Sequence, residues 1–212
     1  MGLYYLQKFG MMNPEVKMML MTKIEREISF DEVMLSWLEA EIKQIEGRDI
    51  LPVAKDKGFS SITEWRLATA LRLGMDKKVW HLVEIEDPNT VLPKIIVGPY
   101  QGWSRFFDNK IDTTFEQALE IPEFFEWCKT HDRIQPIIKN YPPSSTIILY
   151  RKPSGELIHI EGGHRICAVA YQEKIGESIN LDGIKITAAI ADIDESEVAK
   201  LQEFLKVGTY KQ

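Results

Sequence analysis

The amino-acid sequence predicts an α+β fold: a mixed sheet with packed helices, preceded by an all-helical N-terminal region. Three observations carry this expectation. Ser, Thr or Asp followed three residues later by Glu, a pattern that opens helices, occurs at Ser29, Ser61, Thr113 and Asp194. Through roughly the first 75 residues the apolar spacing is helical, and from Val79 it changes to the alternation of strands. Beyond that point strand-like and helix-like segments interleave, with no internal repeat and no low-complexity linker. The expected organisation is a helical region over residues 1–78 and a mixed domain over residues 79–212.

Residues 1 to about 28 carry little pattern, although Asn13-Pro14 can start a helix at Glu15. Ser29 and Glu32 open an amphipathic helix to about Ile45, with Val33, Met34, Trp37, Leu38 and Ile42 in its apolar stripe and Gly47 as its stop. Leu51 to Lys57 reads as a short helix ended by Gly58, and Ser61 opens another that runs through Leu73 to Gly74. Trp37 and Trp65 read as core or interface residues. Val79 to Ile85 alternates as a strand, Asp87-Pro88-Asn89 turns, and Lys94 to Val97 is a short β-branched strand. Gly98 to Arg105 combines glycines, aromatics and a cation. It reads equally as a ligand-contacting loop and as an ordinary turn with Trp103 packed inside. A helix opened by Thr113 runs from Thr114 to about Thr130, with a bend at Pro122. Ile134 to Ile138 is expected as a strand. Thr146 to Arg151 and Glu156 to Ile160 pair as a hairpin through Pro153-Ser154-Gly155, Ile184 to Ile193 is an apolar strand, and Asp194 with Glu197 caps a last helix through about Leu205.

Composition bounds the function. With 44% hydrophobic and 27% charged residues the chain can build a real core. A net charge of −6 argues against broad nonspecific nucleic-acid binding, which needs a basic surface to displace counterions. The two cysteines, Cys128 and Cys167, have no metal-site spacing and read as reduced core thiols. No apolar run has the length of a membrane span, and the Met-rich start lacks the continuous core of a signal peptide, so a cytoplasmic location is expected. His131-Asp132 has the form of a paired metal ligand, but four histidines in the whole chain are too few for a multi-ligand centre, and no metal site is expected.

The chemistry gathers between Ile158 and Gln172. Ile158 and Ile160 alternate with His159 as a strand, Gly162-Gly163 turns the backbone, and Ile166, Val169 and Ala170 line one face of the succeeding helix. A helix N-terminus carries unpaired N–H groups and a positive dipole end, glycines admit a ligand to the backbone, and Arg165 adds a planar cation. Two readings stand side by side: a phosphate or anion site, and a tight strand-to-helix turn with His164 and Arg165 bonded locally.

Glu161-Gly162-Gly163-His164-Arg165, followed by Ala168, resembles the G-x-H-R-x-x-A signature of the ParB/sulfiredoxin superfamily. Ile134-Gln135-Pro136-Ile137-Ile138 is similar to the Q-P-I strand ahead of that signature, and the hairpin fits the approach to it. The resemblance spans roughly residues 79 to 193. It implies a nucleotide cofactor, ATP or CTP, with phosphates on Gly162, Gly163, His164 and Arg165, and Arg105 as a further contact from the region ahead of the first long helix. Glu161 is then a general base or a water-mediated Mg²⁺ contact, and His164 a phosphate donor or proton shuttle. The other readings are a surface carboxylate near a helix dipole for Glu161 and a turn-stabilising hydrogen bond for His164.

Within the superfamily, sulfiredoxins carry a cysteine where this chain has Gly163, so that reaction is not expected. Partition proteins add a DNA-binding domain after the fold, for which about twenty residues remain beyond the last expected strand. The motif is most similar to the Asp-Gly-His-His-Arg of free serine kinases, which act on a small hydroxyl-bearing substrate. Two function classes result. One is an NTP-dependent phosphotransferase or NTP hydrolase with Glu161 and His164 in the chemistry. The other is a nucleotide-gated regulatory module whose N-terminal helices dock a protein partner or a second copy.

Overall fold

A computed structural model describes residues 22–45, 51–108 and 110–209. The helix start expected at Asn13-Pro14 and the stop at Gly47 lie outside the described residues. In chain order the strands are β1 (Thr22–Ile28), β2 (Trp80–Ile85), β3 (Ser144–Arg151), β4 (Leu157–Glu161) and β5 (Lys185–Asp192). The helices are α1 (Phe30–Ile45), α2 (Leu51–Asp56), α3 (Ile62–Arg72), α4 (Pro88–Val91), α5 (Gln101–Ser104), α6 (Phe115–Ala118), α7 (Pro122–Thr130), α8 (Ile134–Lys139), α9 (Gly163–Lys174) and α10 (Glu195–Val207). The class is α+β with a mixed sheet.

Side-chain chemistry sets several of the helix starts. Ser29 and Glu32 cap α1 reciprocally: the Ser29 N–H donates to the Glu32 carboxylate at 2.9 Å and the Glu32 N–H to Ser29 Oγ at 3.2 Å. Asp194 and Glu197 do the same for α10. At α3 the Glu64 N–H reaches Ser61 Oγ, but the Glu64 carboxylate turns to Ser60 instead.

The five strands lie in the order β1-β2-β5-β3-β4, antiparallel except for the parallel pair β3 and β5. Both faces are covered. On one, Ile147, Leu149, Ala188 and Ile190 pack with Ile166, Val169, Phe115, Phe124 and Ile134 from α6 to α9. On the other, Ile148, Tyr150, Ile158, Ile160 and Ala189 pack with Val33, Met34 and Trp37 of α1, Ala70 of α3, and Leu201 and Leu205 of α10. Residues from both sides of position 78 therefore share one apolar core. Tyr150 donates its hydroxyl to Leu73 O at 2.9 Å, and Trp80 its indole N–H to Met75 O at 2.9 Å, tying the end of α3 to the sheet.

Four expectations are corrected. The N-terminal region is not all helical, because Thr22–Ile28 forms edge strand β1 against β2. Ile134–Lys139 is a helix and not a strand: Ile134 and Ile137, one turn apart, are buried, and Pro136 sits in the first turn, where a missing N–H leaves no bond unmade. The helix expected from Thr114 to Thr130 is two, α6 and α7, because Pro122 starts a new first turn, and its cap is Thr114 with Gln117, one residue later than Thr113 with Glu116. The segment expected as a strand at Lys94 to Val97 pairs only through single bridges from Ile96 to Thr114 and Ile158, after a 3₁₀ turn over Leu92–Lys94.

Candidate functional site

The strand β4 ends in a register slip. Leu149 pairs with His159 but Ile148 with Glu161, so β4 holds one extra residue around Ile160. Such a bulge re-aims the side chains beyond it. Glu161 shares the face of Ile148, the face covered by α1 and α3, whereas His159 stays with Leu149 on the face of α9.

Gly162 then turns the chain at φ +94, a left-handed backbone that a side chain rarely adopts, and a Cβ there would stand 2.4 Å from Ile147 Cγ2. Its carbonyl accepts the N–H groups of Arg165 and Ile166 at 2.9 and 3.0 Å and closes the first turn of α9. The helix itself has no use for the N–H groups of Gly163 and His164. Gly163 is tightly seated: a Cβ on it would lie 2.7 Å from His159 Nε2 and 3.1 Å from Trp103 Cζ2.

The predicted constellation is divided by the turn. On the α1 and α3 side, Glu161 and Arg165 form an ion pair with side chains 10% and 3% exposed. A second pair, Glu41 of α1 with Arg66 of α3, is almost as enclosed and close enough for both charges to act on Glu161. Burial raises the Glu161 carboxyl above the usual range. The Arg165 and Arg66 cations and the Gly162 N–H oppose that rise, and Glu41 adds to it. Tyr100 closes this side, donating its hydroxyl to Ile160 O at 2.5 Å.

On the α9 side stands an aromatic and imidazole cluster. His159 is 2% exposed, and its Nδ1 accepts the Gly98 N–H at 2.6 Å, which leaves the ring proton on Nε2 beside Gly163. Burial lowers its pKa to about 3, so the ring is neutral. Trp103 packs between the rings of His159 and His164, with centroids at 5.8 and 5.1 Å, and also against Phe115, Phe124 and Trp127. The His164 ring lies 5.0 Å from that of His131, which meets Trp127 edge-on with centroids 4.2 Å apart. Burial holds His164 well below its ordinary pKa, and the charge of Arg133 lowers it further, ahead of His131, His159 and Arg165.

The structure thus brings Gly163, His164, His159, His131 and Arg133 to one side of the turn and Glu161 with Arg165 to the other. Arg105 is exposed with its guanidinium 4.7 Å from the Phe106 ring centroid, and no contact joins it to the turn among the described residues. Arg133, not Arg105, is the arginine from outside the turn whose charge reaches His164. It lies directly before α8, in a segment whose periodicity is too short to reveal the helix. Trp103 belongs to the Gly98–Arg105 segment that composition singles out, and its ring packs inward on the core; His159, Glu41 and Arg66 carry no motif that would single them out in sequence. Among the described residues no group of three or more ligating side chains is close enough to hold a metal ion. Comparison with family models, with curated proteins and with solved structures returned no match.

Proposed function

We propose that this chain is a ParB/sulfiredoxin-like domain that binds a nucleotide by its phosphates at the N-terminus of α9. The observation that supports this most is the convergence of donors there: the N–H groups of Gly163 and His164, the Nε2–H of His159 and the charge of Arg133, all at the positive end of a 12-residue helix. A phosphate oxygen at this end accepts from the two backbone N–H groups, and Arg133 offers a planar fork. Trp103 and Trp127 supply apolar walls. The tight fit of Gly163 against His159 and Trp103 keeps the backbone, not a side chain, as the contact surface. Arg165 acts through Glu161, holding the strand end and the helix start together, and not as a phosphate ligand.

In this reading the domain binds a nucleotide and reports its presence to α1 and α3 through the Glu41–Arg66 pair. A second reading, an NTP-dependent phosphotransferase or hydrolase acting on a hydroxyl, is favoured by one observation: Glu161 is a carboxylate raised by burial within a cluster of charges, as a general base requires.

The test is a thermal-shift panel of ATP, CTP, GTP, ADP and AMP, with and without Mg²⁺, on the wild type, Arg133→Ala and Arg105→Ala. Nucleotide at 100 times its dissociation constant adds about 2.7 kcal/mol, roughly 5–10 °C for a domain of this size. The expected result is a shift for at least one nucleotide that disappears in Arg133→Ala and persists in Arg105→Ala. The converse pattern moves the site to Arg105, and no shift with any nucleotide removes the proposal. For the second reading, Glu161→Gln is expected to abolish phosphate release while keeping the shift.

A further inference from the structure

The two cysteines, 39 positions apart in the chain, meet in the core. Cys128 lies in the last turn of α7 and Cys167 in the second turn of α9, both fully buried. Their sulfurs are 3.1 Å apart. A disulfide bond is about 2.05 Å long. Closing it therefore requires the sulfurs to approach by about 1 Å. Both belong to the apolar core that also holds Phe124, Ile134 and Ile166.

The location matters as much as the distance. The Cys128 carbonyl accepts the His131 N–H at 3.3 Å and the Gln135 side-chain N–H at 3.3 Å, so it anchors the turn that carries His131 and Arg133. Cys167 lies one turn after Gly163 and His164 on α9. A covalent link between the sulfurs joins the two walls of the α9 site.

We propose that Cys128 and Cys167 are a redox pair that closes to an intramolecular disulfide and fixes α7 against α9. The oxidant class is a small disulfide such as oxidised glutathione. One cysteine thiolate attacks an oxidant sulfur, forming a mixed disulfide and releasing one glutathione thiolate. The second cysteine thiolate attacks the protein sulfur of that mixed disulfide, forming the internal bond and releasing the second glutathione. The protein gives up two electrons and two protons; the oxidant takes the electrons and its two released thiolates take the protons. In the packed state burial raises the Cys167 thiol well above its ordinary pKa, so exchange begins when α7 lifts from α9. The pair stands independently of whether the α9 site binds a nucleotide.

The test uses the full chain refolded from denaturant in a series of oxidised-to-reduced glutathione ratios, where both thiols are accessible until packing brings them together. Samples are quenched with acid, alkylated and read by intact mass and peptide mapping without reduction. The expected product is a monomer lighter by two hydrogens, free of glutathione, with a single peptide pair linked through Cys128 and Cys167. It should dominate over mixed disulfides at every ratio from the midpoint upward. Glutathione adducts on both cysteines, or two alkylated thiols at the most oxidising ratio, overturn the proposal. Because the readout is a covalent mass on the wild type, it does not depend on a cysteine variant folding.

Discussion

The side chain of Arg165 is 3% exposed and that of its partner Glu161 10% exposed. A buried pair of this kind contributes little over an apolar replacement of both members, but removing one member leaves a charge without its partner. Arg165→Ala is expected to lower stability by about 3–5 kcal/mol, read from the urea midpoint, with Arg165→Lys recovering part of the loss. His159 makes a second prediction, in pH. Its folded pKa is depressed, from 6.5 to about 3, so the unfolded chain takes up a proton that the folded one refuses. That contribution is full above the unfolded pKa and is lost as pH falls through the window down to the folded value. Within the window the slope is about 1.4 kcal/mol per pH unit for one proton. Glu161, whose folded pKa is raised, has the opposite sign: its contribution is present in acid and is lost as pH rises through its folded pKa. His159→Gln is expected to reduce the acid-side slope of unfolding free energy against pH by about one proton, measured by urea titration at successive pH values. An unchanged slope would show that His159 is protonated in the folded state.

At the scale of elements, Gly162 is the position on which the strand-to-helix turn depends. Gly162→Ala must place a Cβ 2.4 Å from Ile147 Cγ2 on a backbone at φ +94. Gly176 has a similar φ of +77 but open space around it. Gly176→Ala is expected to cost about 1–2 kcal/mol, and Gly162→Ala about 1–3 kcal/mol of backbone strain plus the displacement of Ile147, compared by thermal melts. Legibility at this level depends on where local chemistry dominates. The caps at Ser29 and Asp194, the hairpin of β3 and β4 and the turn before α9 are readable in the sequence, because each is decided by residues within a few positions of one another. The segment Ile134–Lys139 is not, since six residues with three isoleucines satisfy a buried strand and a buried helical turn equally. Strand β1 is hidden because a charged edge strand with one neighbour, its register slipping between Ile24 and Arg26, is fixed by pairing and not by its own pattern. The glycines, His164 and Arg165 of the candidate site are visible as a motif. Its division into two sides is not, because that depends on the extra residue in β4 and on Glu41, Arg66 and Arg133 arriving from distant elements.

At the scale of the whole molecule, the sheet is a septum between two apolar cores, and the chain crosses between them repeatedly. If Cys128 and Cys167 are linked, the closed loop removes freedom from the unfolded chain, and the chain-entropy relation gives roughly 4 kcal/mol for a loop of this length. The oxidised protein is expected to melt well above the reduced one, a comparison that scanning calorimetry makes directly. The position of β5 has a different consequence. It is the last of these strands to be synthesised and yet it lies in the middle of the sheet, antiparallel to β2 on one edge and parallel to β3 on the other. Until Asp192 has left the ribosome, no strand joins the β1–β2 pair to the β3–β4 hairpin, and each exposes the edge that β5 will occupy. The nascent chain is therefore committed to its fold late and all at once, and a ribosome stalled before residue 185 holds a protease-sensitive chain, whereas one stalled beyond α10 with its exit tunnel cleared holds a resistant one.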